Sequence, residues 1–281
     1  MTGKDLIKMI LPPIALSALR HISRRPPLEP IRFIGDYQSW EEAQRTTGSG
    51  YAAPEILAKT RAALMKVKKG EAAFERDSVV FTEMQYDFPL LAGLLRAASS
   101  NENRLSVLDF GGALGGTYFR CRDFLTSVDE LHWSVVEQPA HVACGETEFA
   151  NHQLRFYRTL EECVRTEQPN LLLLSSVLPY LPRPYEFLRD LLRHEFNYVI
   201  VDRTAFTARG RDRLTVQHVP SWIYEASYPA WFFSEARLRA CFDGHYGLVC
   251  EFPRADIVHL DGDEVYFKGF HFQIKAQTRR P

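Results

Sequence analysis

The spacing of apolar and polar residues divides the chain near residue 105. Before that point the pattern favours helices. Residues 39–47 and 54–69 have helical composition, the second rich in Ala, Leu and Lys, and Gly48, Ser49 and Gly50 break the chain between them. Residues 88–98 (FPLLAGLLRAA) read as a further helix, with Pro89 accommodated in its first turn. Beyond residue 105, short apolar runs alternate with mixed segments. Residues 105–110, 133–136, 152–157, 171–174 and 198–201 read as strands, with helices starting near 117 and spanning 159–167 and 184–194. The run at 171–174 is apolar throughout, as a strand buried on both faces requires. Such alternation predicts an α/β fold with a mainly parallel sheet. At the end, residues 246–252 and 265–274 read as an antiparallel hairpin at one sheet edge. The expected division is an N-terminal helical extension and lid over 1–104 and a core over 105–281.

Composition narrows the function classes. A chain of 281 residues, 46% hydrophobic, can bury one substantial core, and its net charge of −1 argues against a nucleic-acid partner. The five cysteines, at 121, 144, 163, 241 and 250, show neither CxxC spacing nor paired His/Cys ligands, so no metal site is expected and reduced cysteines in the cytoplasm are. Residues 7–19 are apolar, interrupted by Pro12 and Pro13 and followed by Arg20, Arg24 and Arg25. This run is too short to span a bilayer. A helix packed on the domain is the expectation for residues 1–25, with peripheral membrane or partner contact as the alternative.

The strongest chemical signal is SVLDFGGALGG, residues 106–116. Gly111, Gly112, Gly115 and Gly116 follow an apolar strand, where the backbone turns sharply and a ligand approaches closely. The register does not match GxGxxG. Asp109, at the strand end, suits a cationic cofactor carrying an amino acid better than a pyrophosphate. It is expected to meet the methionine portion of S-adenosylmethionine, directly or through water. Glu137 ends the next strand, where a carboxylate accepts from ribose hydroxyls. Ser175 and Ser176 end the fourth apolar run and lead to Tyr180, on the ligand edge of a parallel sheet.

These motifs, with GDYQSWEEA (35–43), ERDSVVF (75–81), QYDFPLLAG (85–93), LLLSSVLPYL (172–181), VIVDRTAF (199–206), SWIYEASYPAWFFSE (221–235) and YFKGFHFQI (266–274), carry a resemblance. The chain resembles a bacterial family of class I S-adenosylmethionine-dependent methyltransferases found among surface-polysaccharide and secondary-metabolite genes. The resemblance implies a Rossmann-like class I methyltransferase fold and S-adenosyl-L-methionine as cofactor. It implies that Asp109, Gly111 and Gly115 line the cofactor, that Glu137 binds its ribose, and that residues 175–177 flank the reactive centre. The family's loop commonly has glycine where this chain has Ala113. It also implies that Glu75, Arg76, Asp77 and residues 83–87 anchor a roof over the cofactor, with Tyr86 near its methionine end; surface ion pairs are the alternative.

Methyl transfer to a hydroxyl or ammonium needs a proton acceptor and exclusion of water. The candidates are His218, Asp202 and Glu225, with Tyr224, Tyr228 and Tyr180 shaping the pocket. Asp202 is expected at the end of the fifth strand. Residues 209–231 read as an irregular lid or wall over a small-molecule acceptor. The leading expectation is methyl transfer to an oxygen or nitrogen of a small sugar-like or natural-product acceptor. The alternatives are a nonmethylating enzyme that cyclises the aminobutyrate of the same cofactor, and a noncatalytic scaffold.

Overall fold

The computed structural model describes residues 29–48, 50–51, 53–254, 258–260 and 263–276. The expectations for residues 1–25 lie outside these. Strand β1 (Arg32–Tyr37) leads into helix α1 (Trp40–Arg45), whose first turn is capped by Ser39, and α2 (Pro54–Lys68) opens on its proline. Strands β2 (Phe74–Arg76) and β3 (Val79–Phe81) form a hairpin. Asp77 and Ser78 make its two-residue turn at φ 52° and 66°, the conformation that matches the twist of the flanking strands. Helix α3 (Phe88–Ser99) is capped by Asp87 and buries Leu90, Leu91 and Leu94.

The core then alternates as expected. Its elements are β4 (Arg104–Phe110), α4 (Gly116–Cys121), β5 (Glu130–Val136), α5 (Pro139–Glu148), β6 (Leu154–Tyr157), α6 (Leu160–Glu167), β7 (Leu171–Ser175), α7 (Pro184–Leu192) and β8 (Tyr198–Thr207). After them come β9 (Arg213–Val219), β10 (Ala226–Phe232), α8 (Glu235–Ala240), β11 (Tyr246–Arg254), β12 (His259–Leu260) and β13 (Val265–Ile274).

The main sheet has the order β11-β13-β8-β7-β4-β5-β6. Strands β4 to β8 are parallel, β13 is antiparallel to β8, and β11 is antiparallel to β13. Counted along the core this is 3-2-1-4-5-7-6 with the seventh strand reversed, the Rossmann-like class I methyltransferase arrangement. Leu171, Leu172, Leu173 and Leu174 of β7 are wholly buried at its centre, and each such leucine stabilises the fold by about 1.5–3 kcal/mol. The connections after β4 and β7 leave on opposite sides of the sheet. Their carboxyl ends therefore flank a topological switch point, where α/β sheets bind ligands. Among the described residues, no helix is long and apolar enough to cross a membrane.

Two expectations are corrected. The first third is not only helical, because β1 pairs with β9 in a second sheet of order β10-β9-β1-β12. The segment 209–231 is mostly β9 and β10 of that sheet rather than an irregular lid. Its apolar positions alternate, and Leu214 and Val216 pack with Ala43 of α1, which gives this sheet its own core. The fifth core strand also continues beyond residue 201. At Asp202 and Arg203 it bulges opposite Gly269, where the register against β13 shifts and Arg203 takes φ 46°, and pairing then resumes through Thr207.

Candidate functional site

The glycine turn leaves β4 at the switch point. Gly111 adopts φ 73°, and a Cβ there would lie 2.6 Å from Val177 Cγ2, so the residue must be glycine on both counts. Its N–H donates to Val136 O at 2.9 Å, which ties the turn to β5. Ala113 holds φ 49° within the turn, and Gly115 caps α4.

Asp109 lies beneath this turn rather than on its surface. It is 1% exposed, packs under Gly112, and accepts a hydrogen bond from Trp133 Nε1 at 3.0 Å. Burial pushes its carboxyl up to about 7 despite that bond, and the Glu137 charge adds to the rise. This side chain supports the turn from below. Glu137 is different. It stands at the carboxyl end of β5, half-buried, with Oε2 accepting from the Gln138 N–H, and burial raises its pKa. Ser175 Oγ donates to Asp202 Oδ2 at 3.4 Å, and Ser176, at φ 57°, donates its N–H to Asp202 O at 3.0 Å.

Four tyrosines gather beside this edge. Tyr180 donates to Gln217 Oε1 at 2.9 Å, and its ring meets Tyr228 edge-on at 5.4 Å. The hydroxyls of Tyr224 and Tyr228 lie 3.2 Å apart. Tyr51, preceding α2, packs edge-on against Tyr228 at 6.3 Å and stacks on His141 at 5.9 Å. Burial raises the pKa of all four, and the Asp77 charge raises each further. Asp77 itself accepts from Arg203 Nη2 at 2.6 Å, and although burial opposes it, Arg203 holds the carboxyl below its ordinary value. Its side chain remains 56% accessible. A cavity of about 290 Å³ has Trp40, Gln44, Thr47, Tyr51, Tyr180 and Tyr228 in its wall and no charged side chain.

Several expected site residues stand elsewhere. Since Gln217 faces Tyr180, strand alternation turns His218 to the opposite side, the face that carries Leu214 and Val216. Asp202 is 1% exposed and engaged by Arg254, whose Nε donates to Oδ1 at 2.6 Å; burial still outweighs that pull and raises the Asp202 pKa. Arg254 also donates to Asp87 at 2.8 Å, which makes Asp202 part of a buried ion network and not a proton acceptor at the cleft. Glu225 is exposed. Tyr86 packs with Phe124 at 5.2 Å and Phe88 at 6.2 Å in an exposed aromatic group, because the chain before α3 is fixed by Arg120 Nε donating to Gln85 O. Tyr180, Tyr224 and Tyr228 join the cluster, as do Tyr51 and Gln217, which were not singled out, while Glu75 and Asp77 were expected only as anchors of a roof. Only the ERD run at 75–77 gave a signal, and its partners proved to be distant in sequence.

A scan of family models and a search of curated proteins give no match. Among solved structures, the N-terminal domain of EvdMO1 in the presence of SAH and D-fucose is similar at 17% identity and TM-score 0.44, over 76% of this chain and 97% of that one. The 1,6-didemethyltoxoflavin-N1-methyltransferase of Burkholderia thailandensis is similar at 16% identity and TM-score 0.36, over 81% of this chain and 92% of that one. A S-adenosylmethionine-dependent methyltransferase from Clostridium acetobutylicum ATCC 824 gives 10% identity and TM-score 0.39, over 65% and 91%. These scores are too low to carry function, and the fold assignment rests on strand order and direction.

Proposed function

We propose that this chain is an S-adenosylmethionine-dependent methyltransferase acting on an oxygen or nitrogen of a small, uncharged, sugar-like or natural-product acceptor, of the kind met in surface-polysaccharide or secondary-metabolite synthesis. The observation that carries the reading is the pairing of the glycine turn with Glu137 at the switch point of this sheet. A carboxylate at that strand end accepts from vicinal hydroxyls, and a glycine-rich turn admits a ligand against its backbone. When bound, S-adenosylmethionine supplies an electrophilic methyl on its sulfonium. The chain's own residues do the rest. Glu137 would hold the ribose, and the turn, shaped by Asp109 and Trp133 below it, would orient the cofactor. Tyr51, Tyr180 and Tyr228 would wall off water and present the acceptor.

The cavity beside Tyr180 favours a second substrate, which intramolecular cyclisation does not need. Its wall of aromatic rings, amide and hydroxyl suits an uncharged ring bearing hydroxyls or amines. The test is mass spectrometry of the purified protein with S-adenosylmethionine and a panel of neutral hydroxylated and amino-bearing ring compounds. Protein-dependent S-adenosylhomocysteine together with a singly methylated acceptor supports the reading. Methylthioadenosine with a cyclised amino acid would replace it with cyclisation.

A further inference from the structure

The β2–β3 hairpin brings Glu75, expected from the sequence only as an anchor of a roof over the cofactor, to the glycine turn itself. Glu75 lies in β2, and the hairpin is pinned on α4, where the Arg120 guanidinium sits 4.8 Å from the centre of the Phe74 ring. The Glu75 carboxylate therefore reaches the backbone of Gly116, and a Cβ at that position would overlap Glu75 Oε1. Glycine at 116 makes room for a side chain arriving from outside the core sheet. Glu75 Oε2 accepts one hydrogen bond, from Ser78 N at 3.1 Å. Arg203 reaches into the same region but pairs with Asp77. Among the described residues, no lysine or arginine forms an ion pair with Glu75. Burial and the Asp77 charge push its carboxyl up to about 7, against the opposing pull of the Ser78 N–H and the Arg203 charge. A half-buried carboxylate with one hydrogen bond and no ion-pair partner keeps acceptor capacity for a donor ligand. Gly116 closes the glycine turn that leaves β4, and Glu137 follows β5, the strand paired with β4, so both carboxylates belong to the elements around that turn.

Resting on the cofactor reading above, we infer that Glu75 binds the α-ammonium at the amino-acid end of S-adenosylmethionine. Glu137 and Glu75 then hold the two ends of one ligand, the ribose at the end of β5 and the ammonium over the start of α4. An ammonium supplies both the donors and the positive charge that Glu75 lacks, and charge-assisted bonds of this type are the stronger ones. The hairpin thereby becomes part of the cofactor site. Its turn holds Asp77 and Ser78 in the left-handed region, a conformation that persists where surrounding structure enforces it.

Calorimetry with S-adenosylhomocysteine and with 5′-methylthioadenosine, which lacks the amino-acid end, tests the assignment on the full chain. Glu75→Gln is expected to weaken S-adenosylhomocysteine about 10- to 100-fold and to leave methylthioadenosine within about twofold. Gly116→Ala, which displaces the Glu75 carboxylate, is expected to show the same selective loss. Equal weakening of both ligands, or no change in either, overturns the role of Glu75 while leaving the cofactor reading intact. A wild-type protein that binds neither ligand overturns the cofactor reading and this assignment with it.

Discussion

Replacing Arg254 by methionine removes the cation from the buried network behind the site. The Arg254 side chain is 12% exposed, that of Asp202 1% and that of Asp87 5%, so water does not replace the guanidinium. Asp202 also accepts from Arg203 N at 2.8 Å, and Asp87 caps α3 at Leu90 N. Asp202 is left without its ion-pair partner, while Asp87 keeps Arg120, whose Nη1 lies 4.0 Å from its Oδ2. Breaking a buried pair from one side costs about 3–5 kcal/mol, which for a chain of this size lowers Tm by roughly 10 °C. Methionine retains most of the apolar volume, so the loss reads on charge rather than on a cavity. The pH dependence fixes the sign. Without Arg254, the folded-state pKa of Asp202, already raised by burial, rises further above its unfolded value. The penalty is then full above that raised value and shrinks as acid protonates Asp202. Urea unfolding followed by circular dichroism, at about pH 8 and about pH 5.5, should show the larger deficit at the higher pH. A deficit below about 1 kcal/mol, or one that grows on acidification, would refute the network.

Asp109, with its folded pKa raised to about 7, binds protons in the native state at pH values where the unfolded chain does not. Stability should therefore rise as pH falls from above 7 towards 5, and Asp109→Asn should flatten that slope in thermal melts. Gly111→Ala adds a methyl 2.6 Å from Val177 Cγ2 at φ 73°, and is expected to cost at least about 1 kcal/mol in denaturant titration together with S-adenosylhomocysteine affinity. Trp133→Phe leaves Asp109 Oδ2 without its 3.0 Å donor and should destabilise by about 1–3 kcal/mol in the same assay. His218→Ala should leave methyl transfer within about twofold of wild type, whereas Gln217→Leu, which removes the Tyr180 partner, should raise the acceptor KM; loss of turnover in His218→Ala would return that histidine to the site.

The core was legible because its signals are local. Residues 171–174 are apolar without interruption, and the glycines after Asp109 mark a strand-to-helix turn, so β4, β5, β7 and the switch point follow from the chain alone. The second sheet was not legible, since β1 and β9 pair across some 180 residues and their short runs resemble loop sequence until they meet, as Arg32 does His218. The bulge at Asp202 disguised the continuation of β8 by placing two polar residues in mid-strand. For the site, Glu137 was found from its strand end, and Tyr180 from its place after β7. His218 was chosen for its intrinsic pKa, but strand alternation fixes which side it faces, and that depends on the register with β1 and β10. Asp77 and Glu75 were named as anchors of a roof, but their partners, Arg203 and Gly116, lie far away in sequence and could not be read from it.

The most direct test of the central claim is calorimetric titration of S-adenosylhomocysteine into the wild-type protein and into Glu137→Ala. Saturable one-to-one binding to the wild type, weakened about tenfold or more in the variant, is the expected result. Absence of binding to the wild type, or equal affinity in both proteins, would contradict a nucleoside site at the glycine turn and Glu137.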